Sequence, residues 1–364
     1  MTVFLMTAIM VLIIAAQAFI PFFVKKTEAF GVYVPLEYSQ KAELRKLKKS
    51  YALFVLLAGG AVALLYGIVF SIKNFSEETI ALWGVGLQLA IIVFSMALYL
   101  VNHVKVKKEK RQQGWTAGKK EKIVVDLQFR NDLEMVSGIA FILPMIITFG
   151  LIGYTLSQYS NLPGQIPVHW GTDGPDRFTE KTMFTSISIM LVLLVMQIMF
   201  FALNWARKTS GSKIGASQKI QSRERELASR KYGSWLLFIS TIAVTLLMGS
   251  LQLSIIHTEL GNALWYMALI VGFLIVVLGG TAFYAFKVVK SNPLAGEEQT
   301  EPGIIDADSD KYWKAGIFYV NKEDPSVMVE KRFGIGWTVN FGNPKSWLFI
   351  LLPIAVLLLI AFLV

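Results

Sequence analysis

Eight uncharged apolar stretches punctuate the chain, at residues 3–24, 51–72, 79–101, 135–156, 185–206, 234–256, 263–286 and 347–364. Each is close to the roughly 20 residues that an α-helix, rising about 1.5 Å per residue, needs to cross a hydrocarbon core about 30 Å thick. None contains Asp, Glu, Lys or Arg. The pattern predicts an all-α polytopic membrane protein with eight transmembrane helices. A small β-rich cytoplasmic module precedes the last helix. Its strands are expected around 317–320, at Val327–Lys331 and at Trp337–Phe341, in one three-stranded antiparallel sheet. Asn321–Pro325 reads as a turn between the first two.

The polar connections fix the expected orientation. Segments 25–50, 102–134, 207–233 and 287–346 carry 32 of the 35 Lys and Arg residues, and the alternate connections 73–78, 157–184 and 257–262 carry three. Basic residues are retained on the cytoplasmic side, so both chain ends are expected outside, in a multi-pass cell-membrane protein. Ala16-Gln17-Ala18 looks like a signal-peptidase site, yet the basic residues Lys25 and Lys26 follow the first apolar run instead of preceding it. That order favours a retained anchor. The expected units are an N-terminal membrane region (1–134), a two-span unit with an outer hairpin (135–206), two further spans with a basic linker (207–286), the β-rich module (287–346) and the last span (347–364).

Composition narrows the function. The chain of 364 residues is 54% hydrophobic, 16% charged, has a net charge of +10 and lacks cysteine. Disulfide and thiol chemistry are excluded, and the positive charge is explained by membrane orientation and lipid headgroups, not by nucleic acid. Ala42–Lys49 should continue as an amphipathic helix into the second span, after a short extended piece at 31–35. Lys213–Lys231 reads either as a basic helix lying on headgroups or as a solvated linker. Gln17, Gln88, Gln197, Asn204 and Gln252 are the amide side chains within the spans, suited to helix–helix hydrogen bonds. Pro144 and Pro353 are placed to kink their helices. Asp306, Asp308 and Asp310 alternate like a calcium loop but lack its glycine and glutamate, and read as linker.

Candidate chemistry concentrates in the outer connection 157–184. Pro163 and Pro167 force extended backbone before them, and Asp173-Gly174-Pro175-Asp176 reads as a tight turn, so a rigid hairpin is expected. Trp170 and Phe178 suit the membrane interface. Ligand recognition is assigned to Pro163, Pro167, His169, Trp170, Asp173, Asp176, Arg177 and Lys181. His169, Asp173, Asp176 and Glu180 offer donors for a metal, but one histidine with turn-forming carboxylates points first to structural hydrogen bonding. No metal, cofactor or catalytic residue is assigned, and no nucleotide, zincin or hydrolase motif occurs.

The Leu162-Pro163-x-x-Ile166-Pro167-x-His169-Trp170-x-x-x-Gly174-Pro175-Asp176 run resembles the signature of an uncharacterised bacterial membrane domain that also forms part of the SdpI-type bacteriocin immunity proteins. Trp313, Tyr319, Asn321, Asp324, Lys331, Arg332, Trp337 and Asn340 resemble a second small uncharacterised domain. Together they look like a multi-span family of Firmicutes. The resemblance implies a non-enzymatic role in envelope defence: immunity to, sequestration of or sensing of a membrane-active peptide. Partners would be membrane lipids, a toxin peptide and a cytoplasmic regulator at the second set of residues. The alternatives are an uncoupled transporter or lipid-handling protein, and a metal-dependent activity at the outer loop.

The chain's lack of cysteine makes its orientation testable. A single cysteine replacing Glu180 should react with a membrane-impermeant maleimide in intact cells, and one replacing Glu323 only after permeabilisation. The reverse order of labelling inverts the orientation.

Overall fold

The computed structural model describes all residues except Met1, Asn74, Ile123, Val125, Leu127, Thr172, Asp173, Lys213, Gly261, 292–303 and Val364. Eight of its helices are long and apolar enough to cross a membrane, which makes this a multi-pass membrane protein. They are α1 (Thr2–Phe23), α2 (Ala42–Ile72), α3 (Glu77–Gln112), α4 (Ile142–Ser157), α5 (Met183–Thr209), α6 (Lys219–Ile256), α7 (Ala263–Lys290) and α8 (Pro344–Leu363). Helix ends carry their own stop and start signals. Ser76 Oγ accepts the Thr79 N–H at the start of α3, Thr182 and Thr185 form a reciprocal capping box on α5, and Asn262 Oδ1 accepts the Trp265 N–H on α7. Pro144 sits in the first turn of α4, where a missing N–H leaves no bond broken, so the kink expected there is replaced by a helix start.

The helices pack in two groups, α1 with α2 and α3, and α4 with α5 and α6, onto which α7 and α8 add. All five amide side chains of the spans bond between helices. Gln17 accepts from Ser95, Gln88 donates to the Met6 carbonyl, Gln197 donates to Thr148 and Thr245, Asn204 accepts from Ser234, and Gln252 donates to Thr155. Buried amides in hydrocarbon need such partners, and these bonds set the rotation of each helix within its group.

Two helices run well past the apolar stretches that predicted them. α3 continues to Gln112, and α6 begins at Lys219, with Gln221, Arg225, Glu226, Ser229 and Arg230 all buried. Segment 219–231 is therefore neither a headgroup helix nor a solvated linker. It is an internal strut of a polar layer on the face that carries the basic connections, called here the basic face. Helix α2 starts at Ala42, as the amphipathic pattern predicted.

The polar layer is assembled from distant pieces of chain. The antiparallel pair β1 (Glu28–Ala29) and β2 (Val32–Tyr33) turns through Phe30 and Gly31, both at positive φ. β3 (Lys120–Lys122) lies parallel to β6 (Ile304–Asp306). β7 (Trp313–Lys314) pairs with β8 (Phe318–Tyr319), and β9 (Met328–Glu330) with β10 (Trp337–Val339). The β-rich module before the last helix is thus present. Instead of one three-stranded sheet it forms separate two-stranded ribbons, with a single bridge from Tyr319 to Asn340. Its short strands and repeated glycine turns leave no room for a continuous sheet. On the opposite face, β4 (Gln165–Gly171) and β5 (Gly174–Glu180) form the expected hairpin. Gly174, Pro175 and Asp176 lie in its second strand, not in a turn, because Gly171 pairs directly with Gly174.

The β1–β2 turn is the plug of the first helix group. Phe30 is buried against Tyr51 of α2 and Tyr99 of α3, and Phe333 closes on Tyr99 at a ring separation of 4.4 Å. His103 Nδ1 meets the Phe30 carbonyl at 2.8 Å. Backbone touches backbone behind the turn: a Cβ on Gly31 would lie 2.6 Å from Gly316 Cα. Gly31→Ala therefore combines a left-handed backbone with a steric clash, and should cost about 1–3 kcal/mol or more. It should lower the thermal midpoint of the purified protein, while Gly60→Ala, inside α2 where the added methyl meets open space, should not lower it. Equal midpoints for Gly31→Ala and wild type contradict this packing.

Candidate functional site

The hairpin on the face opposite the basic one stands on a small apolar root. Leu162, Ile166 and Ile255 are buried together, with Tyr159, Trp170, Ile189 and Ile256 against them. Lys181 pins the base, donating to the Leu162 carbonyl at 2.9 Å, and its ammonium sits 5.3 Å from the Tyr159 ring. Pro167 is buried and Pro163 exposed. Trp170 is half-buried against the root. Strand irregularities flank His169, which turns outward and meets Asp176 Oδ1 at 2.5 Å through Nδ1. His169, Asp176, Arg177 and Phe178 are exposed, so the hairpin presents one histidine–carboxylate pair, one guanidinium and one aromatic ring. Asp173 lies outside the described residues. No group of three or more His, Asp or Glu placed to hold a metal occurs among the described residues.

The residues assigned to the β-rich module do different work. Asn340 is fully buried and ties a turn together. Its Nδ2 donates to the carbonyls of Asn321 at 2.8 Å, Asp324 at 3.0 Å and Ser326 at 3.2 Å, and its Oδ1 accepts the N–H groups of Asn321 and Gly342. Tyr319 donates to Asp324 at 2.9 Å and accepts from Asn321. Trp337 lies beside two guanidiniums, Arg230 at 4.8 Å and Arg207 at 5.6 Å, and donates to Ser229 Oγ. Arg230 also gathers the carbonyls of Arg207, Ser210 and Gly211, a cation at the C-terminal end of α5. Trp313 is buried beneath the Arg332 guanidinium. Lys331 is exposed. These side chains build the module; Lys331 alone of the eight faces solvent.

Residues 140–196 match a domain of unknown function (DUF1648). Residues 322–347 match a family of unknown function (DUF5808). No curated protein and no solved structure matches the chain. The first match spans all of α4, the hairpin and half of α5. The second spans the turn tied by Asn340, the β9–β10 pair and the first turn of α8. The two matched stretches therefore carry the β4–β5 hairpin and the turn tied by Asn340 respectively.

A cavity lies away from the hairpin, lined by none of residues 140–196. It encloses about 400 Å³ on the basic face, between the end of α1, the start of α6 and the ribbons. Five basic side chains (Lys25, Lys26, Lys122, Arg225, Arg332) and three acidic ones (Glu28, Asp306, Glu330) line it. One wall is the triad in which Glu330 meets Lys25 at 2.6 Å and Arg225 Nε at 3.6 Å, while Arg225 also donates to the Phe23 carbonyl. Burial acts to raise the Glu330 carboxyl, but Lys25 and Arg225 outweigh it and hold it below its ordinary range. Burial likewise opposes the charge on Lys25, and Glu330 and Glu28 outweigh it, raising the ammonium. Glu28 differs: burial pushes its carboxyl up despite Lys25 and Arg332.

A second ionic cluster adjoins the cavity through Arg332. Lys110 of α3 meets Asp308 at 2.5 Å and Asp310 at 2.7 Å, and Asp310 also takes Arg332 and the Tyr33 N–H. Asp306 accepts from the N–H and Oγ of Ser217. Asp306, Asp308 and Asp310 are therefore not linker; they bind segments more than 80 residues away. The available sequence signal was their alternation opposite a basic segment, which their partners' remoteness concealed. Lys25, Lys110, Arg225 and Glu330 likewise carry no local sequence signal beyond their charge.

Burial acts to raise Asp310, and Arg332 and Lys110 outweigh it, so its carboxyl is held low. A depressed carboxylate contributes stability that is fully present above its unfolded pKa of about 3.9 and is lost as pH falls through the folded value. Asp310→Asn leaves two buried cations underpaired and should cost about 3 kcal/mol at neutral pH. The gap in thermal stability from wild type should close as the medium is acidified below the ordinary carboxylate range. A gap that is independent of pH contradicts the assignment.

Proposed function

We propose that the basic face is cytoplasmic, that both chain ends lie outside, and that the protein is a non-enzymatic receptor of envelope defence whose outer hairpin engages a membrane-active peptide. The observation carrying this reading is the course of α6. Its 38 residues run unbroken from Ile255 and Ile256, under the hairpin, to Arg225 and Gln221 in the cavity wall, about 57 Å at about 1.5 Å per residue. A ligand that tilts or clamps the hairpin root thereby acts on the polar layer through one rigid element.

The chemistry of the hairpin supports a cationic, amphipathic ligand. Phe178 and Pro175 offer exposed apolar surface beside the carboxylates of Asp176 and Glu180. Lys181 is turned back to the hairpin's own carbonyls, which leaves Arg177 as the outward cation among the described hairpin residues. The resemblance to SdpI-type immunity proteins points the same way. The interior supports a static bundle over a permeation path, since each amide of the spans is engaged between helices.

Cells lacking the protein should become more sensitive to at least one cationic membrane-active peptide. In nanodiscs, replacing Asp176, Phe178 and Glu180 together by alanine should weaken that peptide's binding about tenfold or more, the scale of losing interface anchors. Unchanged binding by the triple variant, or unchanged sensitivity of the deletion strain across a broad peptide panel, removes the reading.

A further inference from the structure

Two side chains in the cavity wall retain bonding capacity: Glu28, although Lys25 and Arg332 lie near its charge, and Lys26. Glu28 is buried, lines the cavity, and its Oε2 has no hydrogen-bond partner. Its other oxygen is 3.8 Å from Arg332 Nε, a guanidinium already committed to Asp310, Ser309 and the Gly31 carbonyl. Lys26 also lines the cavity and has no ion-pair partner among the described residues. An orphaned buried carboxylate oxygen is costly, and the cost is relieved by an N–H donor. An unspent ammonium at the same cavity is complemented by an anion.

The rest of the wall sharpens the choice. Basic side chains exceed acidic ones by two, and Thr27, Ser217 and Ser222 also line the space. That setting suits the several oxygens of a phosphate better than a single carboxylate. The cavity also begins where α1 leaves its apolar span: Arg225, in its wall, holds the Phe23 carbonyl, and Lys25 and Lys26 follow directly. The site thus stands at the level of lipid headgroups on the basic face.

From this we infer that the cavity binds a phosphoethanolamine-type zwitterion, with the phosphate at Lys26 and the primary ammonium donating to Glu28 Oε2. Lys25, Arg225 and Glu330 position the wall through their mutual ion pairs. The group that occupies it is either the headgroup of a membrane lipid or a free phosphoethanolamine ester, which share this chemistry. The inference does not rest on the peptide-receptor reading of the opposite face, and its test uses no outer-face ligand.

The discriminating probe pair is phosphoethanolamine and phosphocholine, which carry the same phosphate but differ in whether the nitrogen has N–H donors. Titrated by calorimetry into the full chain in phosphatidylglycerol nanodiscs, phosphoethanolamine should bind about tenfold or more tighter, the scale of one charge-assisted hydrogen bond. Glu28→Gln should abolish the preference, and Lys26→Gln should weaken both probes alike. If neither soluble probe binds, phosphatidylethanolamine added to the nanodisc should raise the thermal midpoint more than phosphatidylcholine does. That increment should vanish in Glu28→Gln, identifying the lipid as the source. The wild-type comparison stands even if a variant fails to fold. Equal binding of the two probes, or no preference for either soluble or lipid ethanolamine, overturns the inference.

Discussion

Charge buried beside a membrane has to be neutralised locally, and in this protein the neutralising partners come from opposite ends of the chain. Lys25, just after the first helix, meets Glu330, close before the last, and Arg225 joins them from the start of α6. Lys110 of α3 meets Asp308 and Asp310, which Arg332 also holds. Isolated, any one of these charges would cost several kcal/mol in such a setting. Together they require that the first helix group, the second helix group and the ribbons be assembled at once. The apolar helices alone supply no such requirement, because lipid solvates their outer faces as well as a neighbouring helix does.

This constraint explains which features were legible in the sequence. The eight apolar stretches and the alternation of basic connections follow from solvent preference residue by residue, and eight matching helices appear. The β4–β5 hairpin was legible because proline and glycine act on their immediate neighbours. Its turn was misplaced by two residues, since strand pairing at Gly171 and Gly174 outweighs the local turn tendency of Gly174-Pro175. The polar layer was not legible. Arg225 and Arg230 have the appearance of orienting charge, and Asp306, Asp308 and Asp310 that of linker, until partners dozens to hundreds of positions away are known. The extension of α6 back to Lys219 was hidden for the same reason, because its buried face is polar and gives no apolar period.

The candidate site residues divide by exposure. On the hairpin, Pro167, Trp170 and Lys181 build the root, while His169, Asp176 and Arg177 face outward. In the ribbons, Asn340, Tyr319, Asn321 and Asp324 form a closed set of hydrogen bonds, and Trp337 lies against two guanidiniums. A motif of this kind preserves a shape instead of presenting a ligand-binding surface. The groups with unspent capacity, Glu28 and Lys26, lie in a segment that carries neither motif, and they emerge only when the cavity is assembled around them.

The central claim is that ion pairs on the basic face weld the two helix groups together, and the most direct measurement is the separation of their far ends. Spin labels at position 78, in the first turn of α3, and position 259, just past the end of α6, both opposite the basic face, report that separation by pulsed dipolar spectroscopy in nanodiscs. The wild type should give one narrow distance distribution, and Glu330→Gln, which unpairs Lys25 and Arg225 without changing side-chain size, should broaden it or add a second population. An identical narrow distribution in the variant would show that the helix groups are held by something other than these charges.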